Sequence, residues 1–342
     1  MGDQLSLFEG ASPPAAQVTA IEPRIEEQDR ETAARLPRFI RFGTSSWSFP
    51  GWARVLWEPS ATLTEESLAR AGLYAYARHP LFRTVGIDRS YYGPLRADDV
   101  ATYAAQIDAA HAAAPSLPPF RFVSKVWDEI TTAVFPRHPR YGARAGQPNP
   151  HFLDANRFLS EVLEPYRAFA AHAGAFVFEL TPMPRGALDE VSLTQAIDGF
   201  LSRLPGGFRW AFELRNEELL GARWFDVLRA HGAAHVFTYW TAMPSIRAQL
   251  AHAGAISSRF VVARLMLPPF ARYDEKKAAF APFDRIVAPQ PDMHDDVLAL
   301  LRAAAEHGCD DAFVVVNNKA EGSAPLTVRA LAARAARELG SA

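Results

Sequence analysis

The sequence predicts an α/β fold, a single-domain (β/α)8 TIM-like barrel behind an N-terminal tail. Three observations lead there. Eight short apolar runs recur between 38 and 318, most are separated by stretches of helical composition, and charged or amide residues repeatedly close the runs. Strands alternating with helices demand parallel crossovers. Eight such units close most simply into a barrel, whose active face is built from the carboxyl ends of the strands. The main alternative, an open doubly wound sheet, places a Gly-rich phosphate loop after its first strand, and GTSSWSFPGW (43–52) is not such a loop.

Residues 1–37 read as a flexible tail. They hold seven acidic residues between Asp3 and Glu31 against three Arg up to Arg35, and SPPAAQ (12–17) supports no regular structure. IEEQDRETAARL (25–36) would make at most a short exposed helix. The barrel is expected over 38–340. Its strands are RFIRFG (38–43), FRTVGID (82–88), FRFVSK (120–125), AFVFEL (175–180), FRWAFEL (208–214), AHVFTY (234–239), RFVVARL (259–265) and AFVVVNN (312–318). Helical stretches such as 64–79, 98–114, 217–232, 294–308 and 327–340 lie between or after them, several ending in the Gly that commonly stops a helix. Two connections are unusually long, 132–150 after the third strand and 266–291 after the seventh. Both are Pro-rich and carry basic residues, and long loops of this kind are usually functional.

The bulk numbers exclude more than they assign. With 49% hydrophobic and 22% charged residues the composition is that of a soluble globular protein, and a net charge of -2 gives no global reason to bind polyanions. Cys309 is the sole cysteine, so neither an internal disulfide nor a Cys-based zinc site can form. No run is long enough to span a membrane and no basic-then-apolar leader precedes the fold, so a cytoplasmic protein is expected.

Side chains alternate in and out along a strand. Arg209, Ala211, Glu213 and Arg215 therefore share one face, as do Gly86, Asp88 and Ser90, and Ala175, Val177 and Glu179. Asp88, Lys125, Glu179 and Glu213 are the candidate catalytic residues at the mouth, with Trp47, Tyr92, Arg215, Tyr239, Arg264 and Asn317 as candidate substrate contacts. Several chemistries stay open. Paired carboxylates suit glycoside hydrolysis, but the seventh strand ends in Arg264 where barrel glycosidases commonly place an acid. Asp88, Glu179 and Glu213 could hold a divalent metal, Mg or Mn, through oxygen ligands. No run ends in the His that catalytic zinc favours, and His235, in mid-strand, is expected to be buried and hydrogen-bonded. Lys125 beside a carboxylate is either a Schiff-base nucleophile or an ion-pair partner. Arg215 and Arg264 are natural clamps for phosphate or carboxylate. The aromatic SSWSFPGW and the Tyr91–Tyr92 pair would either stack on bases or sugar rings or plug the barrel end; packing is favoured for Trp52 and Phe49.

At these residues the chain resembles the domain-of-unknown-function 72 (YecE-like) family over roughly 38–335. Gly43, Ser45, Trp47 and Trp52 match its opening segment. VGIDRSYY (85–92) matches a V-E-x-N-x-T/S-F-Y strand end, with Gly86 in place of Glu and Asp88 in place of Asn. Phe120, Phe122, Lys125, Ile130 and Thr131 follow an F-x-F-x-x-K…I-T pattern. FVFELTP has Glu179 for Gln, Glu213 and Arg215 match E-x-R, Arg264 matches Y-V-R, and Asn317–Asn318 match F-N-N. The resemblance implies a TIM-like barrel and no settled activity. Outside the barrel, QLSLF (Gln4, Leu5, Leu7 and Phe8 its anchoring side chains) resembles the pentapeptide by which bacterial replication and repair proteins dock onto the DNA sliding clamp. The alternative is a tail that folds its apolar side chains back onto the barrel. The sequence thus leaves three functions open. They are a hydrolase on a phosphate- or sugar-containing substrate, with nucleic acid among the candidates; a non-catalytic module brought to DNA by its tail; and a carbohydrate-active barrel.

Overall fold

The computed structural model describes residues 21–60, 63–268 and 278–340. Eight parallel strands close into a barrel in sequence order, β8 pairing back onto β1. They are β1 Ile40–Thr44, β2 Thr84–Ile87, β3 Arg121–Lys125, β4 Ala173–Glu179, β5 Trp210–Glu213, β6 Ala234–Tyr239, β7 Phe260–Leu265 and β8 Asp311–Val316. Each lies within two residues of the expected run at both ends.

Residue size divides the two faces of the strands. Outward positions are bulky: Phe42, Phe122, Phe176, Phe178, Phe212 and Phe237 pack against the helices in one large core. Inward positions in the middle of the barrel are mostly small or branched: Val123, Ala175, Val177, Ala211, Ala234, Val236, Val262 and Val315, with Phe260 and Phe313. Such residues fill a barrel of this size without splaying it. Where β1 meets β2 the backbones come too close for any side chain, because a Cβ on Gly43 would sit 1.9 Å from the Thr84 carbonyl oxygen.

The helical layer comprises α1 Glu27–Arg35, α2 Glu65–Arg78, α3 Ala97–Ala113, an irregular helical stretch α4 over 155–172, α5 Glu190–Leu201, α6 Ala222–Ala230, α7 Ile246–Leu250, α8 Pro291–Glu306 and α9 Ala324–Glu338. Here the expected boundary of the tail is corrected. The chain is part of the barrel assembly from Ile21, which is buried, and α1 is docked rather than free. Its anchor is polar: Arg329 on α9 donates to both oxygens of Asp29 at 3.0 and 2.9 Å, and the His79 ring lies 3.4 Å from the same carboxylate. Arg83 then fastens the α1–β1 link by donating to the carbonyls of Ala33, Pro37 and Ile40. Just before α1, Pro23 bridges to Trp57 in the connection between β1 and α2, and Glu22 pairs with Arg78 at the end of α2.

The long connection 132–150 is pinned at both ends. Asn149 Nδ2 donates to the carbonyls of Glu129 and Thr132, and Arg144 donates to both oxygens of Glu129. Of the connection 266–291, the part after 278 is tied to the segment beyond β8 by Val287 and Ala288, whose N–H groups donate to the Glu321 carbonyl. Among the described residues no helix is long and apolar enough to cross a membrane.

Candidate functional site

The carboxyl ends of the strands carry a charged cluster above the apolar middle layer. Glu179 and Glu213 close β4 and β5 in register, so they stand side by side. Arg264, inward on β7, reaches between them: its Nη1 donates to Glu179 Oε2 at 2.6 Å and also to Glu213 Oε2. Arg215, two residues past the end of β5 in phase, donates through Nε and Nη2 to Glu213 Oε1 at 3.0 and 2.9 Å, and its Nη2 lies 2.8 Å from Glu179. Lys125 at the end of β3 completes the set with its Nζ 2.8 Å from Glu179. Asp88, in the turn after β2, lies 3.5 Å from Arg264 Nη2, a buried nitrogen with no hydrogen-bond partner among the described residues. Three cations thus face three carboxylates. Strand-end alternation brings together all six charged residues it singled out.

The electrostatics fix the protonation of the central acid. Burial works to raise the Glu179 carboxyl, but the charges of Arg215, Lys125 and Arg264 outweigh it and hold it well below the usual carboxylate range. Arg264 is pushed above its ordinary value: burial opposes, while Glu213, Glu179 and Asp88 prevail. An anion shared by three cations is not poised to give up a proton, so Glu179 does not suit the acid role in glycoside hydrolysis. The metal reading also fails on geometry. Among the described residues no group of three His, Cys, Asp or Glu side chains is placed to hold an ion. For Asp88, Glu179 and Glu213 the reason is visible, since the Arg264 guanidinium takes the place between the carboxylates that Mg or Mn would need. Lys125 is held as an ion-pair partner.

Aromatic rings wall this cluster. Lys125 Nζ sits 4.0 Å from the Tyr91 ring centroid, and the Arg215 guanidinium lies 4.1 Å from that of Trp240. Tyr92 is 68% exposed, edge-on to Tyr91, and stands beside Arg140 from the 132–150 loop, whose guanidinium lies 4.7 Å from its ring. Arg140 in turn pairs with Asp128, which also accepts from the Tyr141 hydroxyl at 2.8 Å.

Three expected substrate contacts lie elsewhere. Trp47 is 5% exposed, edge-on to Tyr103, and donates through Nε1 to the Leu68 carbonyl at 2.9 Å, so it seals the β1 loop onto α2 and α3. Tyr239 turns away from the charges and donates its hydroxyl to Gln290 at 2.8 Å. Asn317 accepts from the Lys319 N–H and caps the turn after β8. Gln4, Leu5, Leu7 and Phe8 lie outside the described residues. Sequence reasoning missed Trp240 as a mouth residue; its signal was adjacency to Tyr239 at a strand end. It also left Arg140 as one charge in a basic loop. His235 is as expected, buried between Trp224 and Gln249 with hydrogen bonds of 3.2 and 3.1 Å. Gly86, where the family pattern has Glu, leaves little room: a Cβ there would meet Ser45 Cα at 3.1 Å and Val315 at 3.3 Å.

Fold and site together define a closed (β/α)8 barrel with a charge-balanced, aromatic-walled mouth. The chain belongs to the family described as protein of unknown function DUF72, whose model matches residues 41–341. Solved structures agree on the fold. A DUF72 family protein from Enterococcus faecalis V583 superposes with a TM-score of 0.55 at 16% identity, covering 88% of this chain and 97% of that one. Another from Thermotoga maritima MSB8 gives 0.54 at 15% identity, covering 86% and 97%. No curated protein matches the chain.

Proposed function

We propose that the mouth binds a sugar-phosphate unit of a nucleotide or nucleic acid and that the reaction class is hydrolysis of such a substrate. The observation that carries this reading is the change of charge character across the site. The centre is neutral, with Lys125, Arg215 and Arg264 facing Asp88, Glu179 and Glu213. The rim leans positive: the 132–150 loop holds Arg137, Arg140 and Arg144 and no acid of its own, and although Arg140 pairs with Asp128 and Arg144 with Glu129, Arg137 remains in excess of these two acids. Fixed carboxylates and guanidiniums suit the hydroxyls of a sugar, Tyr91 and Tyr92 suit a stacked base, and rim arginines suit phosphates. A divalent ion has no place in this reading. The mouth residues would act by orienting the substrate and by stabilising developing negative charge with Arg215 and Lys125.

The test is fluorescence anisotropy with labelled single-stranded DNA, alongside a neutral oligosaccharide competitor and a phosphate-bearing one. Arg137→Ala with Arg140→Ala is expected to weaken DNA binding at least about tenfold and to flatten its salt dependence. Wild-type protein that ignores DNA and binds the neutral saccharide would replace this reading with the carbohydrate one.

A second reading, a module recruited to the sliding clamp, has its own support. QLSLF lies a short way before Ile21, the first buried residue of the described fold. Recruitment and binding at the mouth are compatible.

A further inference from the structure

The opposite end of the barrel carries a second charged layer that the mouth chemistry does not use. Arg41 on β1, Arg121 on β3 and Arg209 just before β5 converge on one carboxylate, Asp311 at the start of β8. Arg41 Nε donates to it, Arg121 Nη1 lies at 3.1 Å and Arg209 Nη2 at 2.9 Å. The neighbouring Asp310 does not relieve the imbalance, because Arg259 takes both its oxygens at 2.9 and 2.8 Å. Three guanidiniums therefore share one anion, a surplus of two positive charges. Phe260 and Phe313 of the middle layer cover it, so it is cut off from the mouth.

Buried cations in excess of their partners are costly, and the layer shows it. Burial together with the charge of the other arginines pulls Arg41 and Arg209 below the ordinary guanidinium range, against the pull of Asp311. Arg121 Nε is buried with no hydrogen-bond partner among the described residues. Beside the pair Arg121 and Arg209 opens a pocket of about 450 Å³, its wall made small by Ala170, Ala171, Ala173 and Gly207. Both arginine side chains are about 28–29% exposed there, whereas Arg41 and Asp311 are sealed.

We propose that this basal pocket binds a phosphate-type oxyanion between Arg121 and Arg209. The planar forks of two guanidiniums match the tetrahedral oxygens of phosphate, and a dianion would cancel the surplus of two. The small side chains leave space for a substituent on the phosphate, so the group could arrive as free phosphate or as a phosphomonoester.

Isothermal titration at fixed ionic strength in sodium chloride separates these sources, with inorganic phosphate in one arm and ribose 5-phosphate in the other. Saturable binding in either arm, weakened at least about tenfold by Arg121→Gln and again by Arg209→Gln, supports the proposal. If a Gln variant does not fold, Arg209→Lys, which keeps the charge and loses the fork, is expected to fold and bind more weakly. Absence of binding in both arms, or binding that these substitutions leave unchanged, overturns it. The mouth is built from other side chains, so failure of its reading leaves this result standing, and the reverse.

Discussion

Glu179 holds three cations with one carboxylate, and its removal is the sharpest single test of the mouth. Glu179→Gln leaves Lys125, Arg215 and Arg264 with only Glu213 and Asp88, stranding a buried positive charge. Breaking a buried network from one side costs about 3–5 kcal/mol, to be read from urea unfolding. Glu179→Leu combined with Arg264→Met keeps the balance and is expected to recover most of that loss while abolishing ligand binding, which would separate function from stability. His235 gives a second residue-level test. Burial lowers its imidazole from an unfolded value near 6.5 to about 4. Between these values the unfolded chain takes up a proton that the native one refuses. This contribution is therefore complete above pH 6.5 and falls by about 3 kcal/mol as pH drops toward 4. His235→Asn should flatten that part of the pH profile of the melting temperature. The six charged mouth residues were legible because strand alternation fixes where a side chain points. Asp88 and Arg215 keep that phase just past their strands, whereas Trp47 and Asn317, also past a strand end, are turned by local bonds to the Leu68 carbonyl and the Lys319 N–H that alternation does not foresee.

At the level of elements, the strands were readable because β-branched and aromatic residues mark them, and a short helix over 25–36 was readable too, but the docking of α1 was not. Its sequence is nearly all polar, and it docks through Asp29, whose partners His79 and Arg329 lie 50 and 300 positions away. No local pattern announces such a contact. The Asp29 carboxyl is lowered to about 2, burial being outweighed by the adjacent His79 ring and the bonds from Arg329. Its share of stability is thus present above pH 3.8 and lost as pH falls toward 2. Asp29→Ala should raise amide hydrogen exchange across 27–35 while the amides of β1 and β8 keep their protection. Uniform loosening of the barrel would show that α1 is integral to the fold rather than strapped onto it. The loop 132–150, readable as basic and long, is held by Asn149 and Glu129, which its Pro-rich composition gave no sign of.

Across the whole molecule, counting eight alternations was enough to close the barrel, because a parallel sheet of that number has few other ways to hide its edges. What counting could not supply is the layering of the interior, charged at both ends and apolar between, since that depends on which inward positions face one another across the barrel. Recruitment belongs to this scale too. Capture on immobilised sliding clamp should be lost with Leu7→Ala plus Phe8→Ala and retained by mouth variants such as Glu179→Gln; capture that survives the double substitution would remove the clamp from consideration. The bridge from Pro23 to Trp57 gives that experiment a geometry. Together with the Glu22–Arg78 pair it fastens the start of the described chain to α2 and to the loop before it. Thirteen residue steps separate Phe8 from Ile21, and even drawn taut they reach at most roughly 45 Å. Whatever grips Phe8 is therefore kept within that distance of Ile21.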